Sequence, residues 1–149
     1  MNKINILPMP GDVISVNRGL YKHYGIYVGN NMVVHFSGGQ GGELSSKRAC
    51  IRKTSLEEFR KNGEILIETR CCKSFSNEQT VQRAIDAIGS GKGKYALPWN
   101  NCEHFANWCR YGEKRSLQVE KFTGEIISIG VLVIGTVLLN YYLYNIKEN

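Results

Sequence analysis

The run DVISVNRGLYKHYGIYVGNNMVVHF, residues 12–36, gathers valine, isoleucine and tyrosine into three short bursts, 12–17, 23–28 and 32–36, separated by Arg18-Gly19 and Gly29-Asn30-Asn31. Apolar and β-branched stretches of this length, punctuated by glycine and asparagine, predict an antiparallel meander. The pairing of the second and third strands matters most, because each carries a histidine, His23 and His35. A three-residue loop at 29–31 would set Val28 opposite Met32 and Gly25 opposite His35. His23 would then lie diagonally from His35 on one face, a separation of about 7–8 Å that two imidazoles can bridge. A two-residue loop would turn the histidines to opposite faces, since a one-residue slip inverts every side chain. The sequence leaves that register open.

Helical signals follow the meander. TSLEEFRK at 54–61 starts with an N-cap residue type and stops at Asn62-Gly63, after which 64–69 resumes a strand pattern. Ser76-Asn77-Glu78-Gln79 has the capping-box pattern and opens a helix with Val81, Ile85 and Ile88 at i, i+4 and i+7. The loop 89–98 delivers the chain to Asn100-Asn101-Cys102. A helix over 102–111, with Phe105, Trp108 and Cys109 on one face, closes at Gly112. The glycine-rich stretch 37–42 reads as an exposed loop; no Lys-Ser/Thr follows it, so it is not a phosphate loop. Segregated strands and helices predict an α+β class with an antiparallel sheet packed on helices.

Residues 126–144 carry no charge and are dominated by Ile, Val, Leu and Gly. Nineteen helical residues reach about 28 Å, close to the ~30 Å of a bilayer's hydrocarbon core, which predicts one C-terminal transmembrane helix. Tyr141, Tyr142 and Tyr144 fall at its far end, where aromatic rings favour the interface. Lys114, Arg115 and Lys121 precede it and Lys147 follows, so the positive-inside rule puts the folded part in the cytosol. The division expected is a domain over 1–118, a linker over 119–125, an anchor over 126–144 and a short tail over 145–149. The formal net charge is +6. With no Arg-rich helix, RNA-binding aromatic strand or zinc module beside it, this charge points to phospholipid headgroups and not to nucleic acid. Oligomeric state stays open: no GxxxG occurs in 126–144.

The five cysteines, at 50, 71, 72, 102 and 109, form no CxxC pair and are expected to be reduced. Cys102 stands at a predicted helix start, where backbone amides and the macrodipole favour a thiolate and can receive an oxyanion. One imidazole would take its proton while the other orients the first. Gly25 leaves room beside them. His104 lies two residues from Cys102, a spacing that does not face it on a helix, and is read as structural. Cys71, Cys72, Cys102 and His104 match no common zinc spacing, so no metal is expected. Tyr21 and Arg18, just before His23, are candidates to orient the base or meet a lipid phosphate.

Three runs, Pro10-Gly11-Asp12-Val13-Ile14, Tyr21 through Gly29 with Val33-Val34-His35, and Trp99-Asn100-Asn101-Cys102-Glu103-His104-Phe105 with Cys109-Arg110-Tyr111-Gly112, closely resemble the lecithin:retinol acyltransferase family and its phospholipase A/acyltransferase relatives. The resemblance covers residues 8–118. It implies an NlpC/P60-like, permuted papain-like fold, with His23 as general base, His35 completing a Cys-His-His triad and Cys102 as nucleophile, and no cofactor. It also implies a phospholipase A1/A2 and acyltransferase: a glycerophospholipid gives its acyl group to Cys102 as a thioester, and water, an amine, a lysolipid or an alcohol accepts it. The segment between His35 and Cys102 lacks the longer insertion associated with the retinol-esterifying member, so retinol specificity is not implied. The tail adds an expected site of action, an intracellular membrane such as the endoplasmic reticulum or another organelle, with a single-pass tail anchor. Two rival readings are a cysteine peptidase or amidase, which has no need of an anchor, and a non-catalytic membrane adaptor, which has no need of the three triad residue types.

Overall fold

The computed structural model describes residues 7–37, 49–70, 75–92 and 101–147, with side chains described through residue 139. The glycine-rich stretch beyond Ser37, the 93–98 part of the loop before Asn100, Trp99, Cys71 and Cys72 lie outside these residues, as do the side chains of Tyr141, Tyr142 and Tyr144. The chain divides into two compact units, Met1–Ser116 and Leu117–Asn149.

In the first unit the meander forms as β1 (Val13–Asn17), β2 (Lys22–Gly29) and β3 (Met32–Ser37), followed by β4 (Cys50–Ser55), α1 (Leu56–Arg60), β5 (Ile65–Glu68), α2 (Asn77–Asp86) and α3 (Cys102–Tyr111). The strands make one antiparallel sheet in the order β4-β3-β2-β1-β5. Both faces are covered, which explains why VVHF and VIS read as nearly continuous apolar runs instead of alternating. On one face Val13, Tyr24, Ile26, Val34 and Phe36 pack with Ala84, Phe105, Ala106 and Cys109 of α2 and α3. On the other, Ile14, Val16 and Val33 pack with Phe59 of α1.

The β2–β3 connection departs from the three-residue loop. Gly29 pairs with Met32, and Asn30 and Asn31 take the left-handed conformation with φ of 50° and 54°, as a type I′ turn requires. Two turn residues alone would have separated the histidines. A β-bulge between Tyr27 and Gly29 inserts one residue and restores the pairing of Ile26 with Val34. Val28 is thus in the bulge and does not face Met32, yet the register beyond it is the one that puts both imidazoles on one face.

Two helix readings shift by a residue. Thr54 belongs to β4, and the cap of α1 is Ser55, whose Oγ accepts the Glu58 N–H at 3.0 Å. In α2 the capping box at Ser76 and Gln79 forms as expected. Its buried stripe, however, is Thr80, Ala84 and Ala87, while Ile85 and Ile88 stay exposed, because small side chains let the helix approach the sheet and α3 closely. The second unit is a single helix, α4 (Leu117–Lys147), which is already helical over 119–125. Its Leu117–Leu139 portion is long and apolar enough to cross a membrane, with mean hydropathy 2.1.

Candidate active site

The two strand histidines meet. His23 Nε2 lies 2.8 Å from His35 Nδ1, with the rings edge to face, and His35 Nε2 lies 3.0 Å from the Thr54 hydroxyl. His23 and His35 are 0% and 4% exposed, so the chain of polar groups is shielded from water, where each hydrogen bond is electrostatically stronger than on a surface. Phe59 packs against both rings, at centroid distances of 5.1 and 5.2 Å. Gly25 is the reason they fit: a Cβ there would sit 2.6 Å from Val33 Cγ1, 3.0 Å from Phe59 Cε2 and 3.3 Å from His35 Cβ.

Cys102 is the first residue of α3 and is buried. Asn101 caps this helix, its Oδ1 accepting the N–H of Glu103 at 2.9 Å and of His104 at 3.1 Å. Those two amides therefore complete a cap and are not open to an oxyanion, a narrowing of the sequence reading; the Cys102 N–H is not part of that cap. At the other end Gly112 takes φ 77° and closes the helix, as the sequence predicts. The thiol lies 3.9 Å from the carbonyl oxygen of Lys22, which belongs to the peptide linking Lys22 to His23. The imidazoles occupy the Phe59 face and Cys102 packs with the cluster on the other face, so the approach of the two parts is at the N-terminal end of β2.

Around the thiol the helix is held by buried polar groups. Glu103, 1% exposed, accepts the Ser116 hydroxyl at 2.5 Å, and Arg70 approaches its other oxygen at 3.8 Å. Arg110 donates to Phe75 O, Thr80 Oγ1 and Asn77 Oδ1, tying α3 to the start of α2. Burial, followed by the negative charge of Glu103, pushes the Tyr24 phenol up, so it stays protonated at any working pH. Burial pushes the Cys109 thiol up to about 12, which makes it an inert core residue. Among the described residues no cluster of three or more His, Cys, Asp or Glu side chains is arranged to hold a metal ion.

A family model described as Lecithin retinol acyltransferase matches residues 7–115. The chain belongs to the lecithin retinol acyltransferase family. It is 38% identical to "Lecithin retinol acyltransferase" of Rattus norvegicus, the match covering 75% of this chain and 58% of that protein. It is 36% identical to the Homo sapiens protein of the same name, with the same coverage. The chain thus spans little more than half the length of those relatives. To "Phospholipase A and acyltransferase 4" of Homo sapiens it is 32% identical, over 86% of this chain and 87% of that one.

Of the residues singled out in sequence, His23 and His35 are in direct contact and Cys102 is beside the peptide that leads into His23. Arg18 is turned elsewhere: its guanidinium donates to Phe59 O at 2.6 Å and Arg60 O at 3.0 Å, capping α1. Tyr21 is half-buried in the turn just before β2, its carbonyl accepting the Arg18 N–H. The backbone amide of His104 serves the Asn101 cap. Three residues that contact the candidate site in this lecithin retinol acyltransferase family member were not read from sequence: Thr54, Phe59 and Asn101. Overlapping capping patterns, Thr54-x-x-Glu57 and Ser55-x-x-Glu58, hid Thr54, whereas Asn before a helix start was a usable signal for the cap.

Proposed function

We propose that this chain is a thiol-dependent phospholipid acyl hydrolase and acyltransferase, with Cys102 as nucleophile, His23 as general base and His35 as the residue that orients it. The observation that carries the reading is the buried 2.8 Å contact between His23 and His35 in a chain of this family, with the Cys102 thiol at the peptide preceding His23. In this scheme His23 takes the Cys102 proton on Nδ1, since Nε2 faces His35. The resulting imidazolium is stabilised through His35, whose own second nitrogen meets Thr54.

The thiolate sulfur bonds to an ester carbonyl carbon of a glycerophospholipid, and the Cys102 N–H steadies the developing oxyanion. The carbon–oxygen bond to the glycerol breaks, the imidazolium returns its proton to that oxygen, and a lysophospholipid leaves. The acyl thioester on Cys102 then passes to water, an amine, a lysolipid or an alcohol, whose proton goes to His23. Two half-reactions through one covalent intermediate give ping-pong kinetics. No metal or organic cofactor takes part. The apolar α4 is read as a single-pass tail anchor that keeps the domain on the cytosolic side of an intracellular membrane such as the endoplasmic reticulum.

The test is to incubate the full chain with phosphatidylcholine and examine it by intact mass. An added acyl group that is lost on Cys102→Ser is expected. Undiminished lipid turnover by Cys102→Ala, or a trapped peptide in place of a trapped acyl group, would overturn the proposal.

A further inference from the structure

The turn between β1 and β2 carries the most exposed large apolar side chain described in Met1–Ser116: Leu20, at 102%. The backbone accounts for the turn but not for the leucine. Arg18 N–H donates to Tyr21 O at 2.8 Å and Gly19 has φ +85°, the glycine-first arrangement of a type II′ turn. Asn17 Oδ1 accepts the Gly19 N–H at 2.8 Å and completes it. Polar residues suit the second central position of such a turn, and a leucine there buries nothing in the fold.

Three observations supply its partner. Leu20 stands two residues, roughly 7 Å of extended chain, before Lys22, whose carbonyl the Cys102 thiol touches, so the tip is at the same end of β2 as the candidate nucleophile. Tyr21 and Lys22 follow it directly, and the bonds from Arg18 to the carbonyls of Phe59 and Arg60 bring the basic end of α1, Arg60 and Lys61, beside it. An aromatic ring and long cationic side chains around one apolar residue are the composition that favours a bilayer interface. Glu57 and Glu68, which pair with Arg60 and Lys22, and Glu64 offset part of this charge, so the apolar contact has to supply most of the attraction. Finally, the domain is followed directly by a helix apolar enough to cross a membrane, so a bilayer is the surface within reach.

We infer that the β1–β2 hairpin tip is a membrane wedge: Leu20 inserts into the interfacial layer of a phospholipid bilayer beside Cys102, so that the ester bond of a lipid is presented to the thiol without the lipid leaving the bilayer. This rests on the lipid-ester reading above. The wedge governs access to lipid in a bilayer and leaves the chemistry at Cys102 untouched.

The experiment uses the full chain reconstituted in phosphatidylcholine vesicles containing phosphatidylserine. Emission of Leu20→Trp, taken as the difference from the parent, which already contains Trp99 and Trp108, is expected to be blue-shifted and quenched by lipids brominated near the headgroup. In the same vesicles Leu20→Ser is expected to lower turnover of long-chain phosphatidylcholine about tenfold, the effect of losing partial burial of one leucine. Its turnover of a short-chain, monomeric phosphatidylcholine should match the parent's. A water-like, unquenched emission would overturn the wedge. So would a blue shift that ignores brominated lipid and grows with protein-to-lipid ratio, which would assign Leu20 to a contact between copies of the chain. An equal loss on both substrates would overturn it too, by placing Leu20 in the chemistry. Should the parent fail to hydrolyse either lipid, the functional proposal falls while the quenching result still decides the wedge.

Discussion

Replacing Thr54 with valine removes one oxygen from the buried end of the histidine chain and leaves the shape of the side chain nearly unchanged. In the native protein the hydroxyl meets His35 Nε2 at 3.0 Å, both residues being less than a tenth exposed. Valine would remove the hydroxyl that nitrogen meets in a site closed to water, and losing a buried polar contact costs about 1–3 kcal/mol. No cavity term adds to it, because the methyl fills the place of the hydroxyl. The same loss frees the His35 ring to change tautomer and orientation, which weakens its hold on His23. If half of the 1–3 kcal/mol appears in the transition state, kcat falls by roughly two- to thirteenfold. The assay is denaturant unfolding beside single-turnover acylation of Cys102, run on Thr54→Val and on Thr54→Ser, which keeps the oxygen. Valine is expected to lower stability and slow acylation, with serine restoring most of the acylation rate. Valine that acylates as fast as the parent would refute the idea that Thr54 orients the pair. Serine as slow as valine would show that the β-branched methyl, and not the hydroxyl, is what matters.

Gly25→Ala should destabilise the domain by about 1–3 kcal/mol, since its methyl would collide with Val33 and Phe59 and press on His35; thermal unfolding measures this, and an unchanged midpoint would contradict the packing around the imidazoles. The buried Cys109 thiol adds a pH dependence. Its folded-state value of about 12 exceeds the unfolded 9.0, so its contribution is complete below pH 9 and is lost as pH rises toward 12, by at most about 1.4 kcal/mol per pH unit. Denaturation midpoints taken from pH 8 to 10.5 should fall more steeply for the parent than for Cys109→Ala, and parallel slopes would remove this thiol from the account.

Much of the fold was legible because it rests on local patterns. β-Branched bursts with asparagine and glycine between them marked the three strands of the meander, Ser76 and Gln79 marked the start of α2, and Asn101 to Gly112 contained a complete helix with its closing glycine. The uncharged stretch near the C-terminus announced an apolar helix by composition alone. These are properties of neighbouring residues, and a one-dimensional reading reaches them. β4 was missed for the complementary reason: CIRKTS alternates weakly, and its strand state comes from pairing with β3, which no local signal records.

The histidine site shows where that reading ends. Residue types and family resemblance named His23, His35 and Cys102, but whether two imidazoles share a face depends on one extra residue in a strand. The Asn30-Asn31 turn, taken alone, separates them; the bulge before Gly29 brings them back together. Likewise Thr54, Phe59 and the capped amides of α3 acquire their roles through contacts between segments far apart in the chain. What the sequence by itself determined, then, was which residues are candidates for the chemistry and the elements that carry them, because propensity, capping and hydropathy act over a few residues. Strand register, the choice between overlapping caps and the diversion of Arg18 to α1 were decided by the tertiary structure, since each is a competition between packed alternatives that differ by contacts the local chain does not contain.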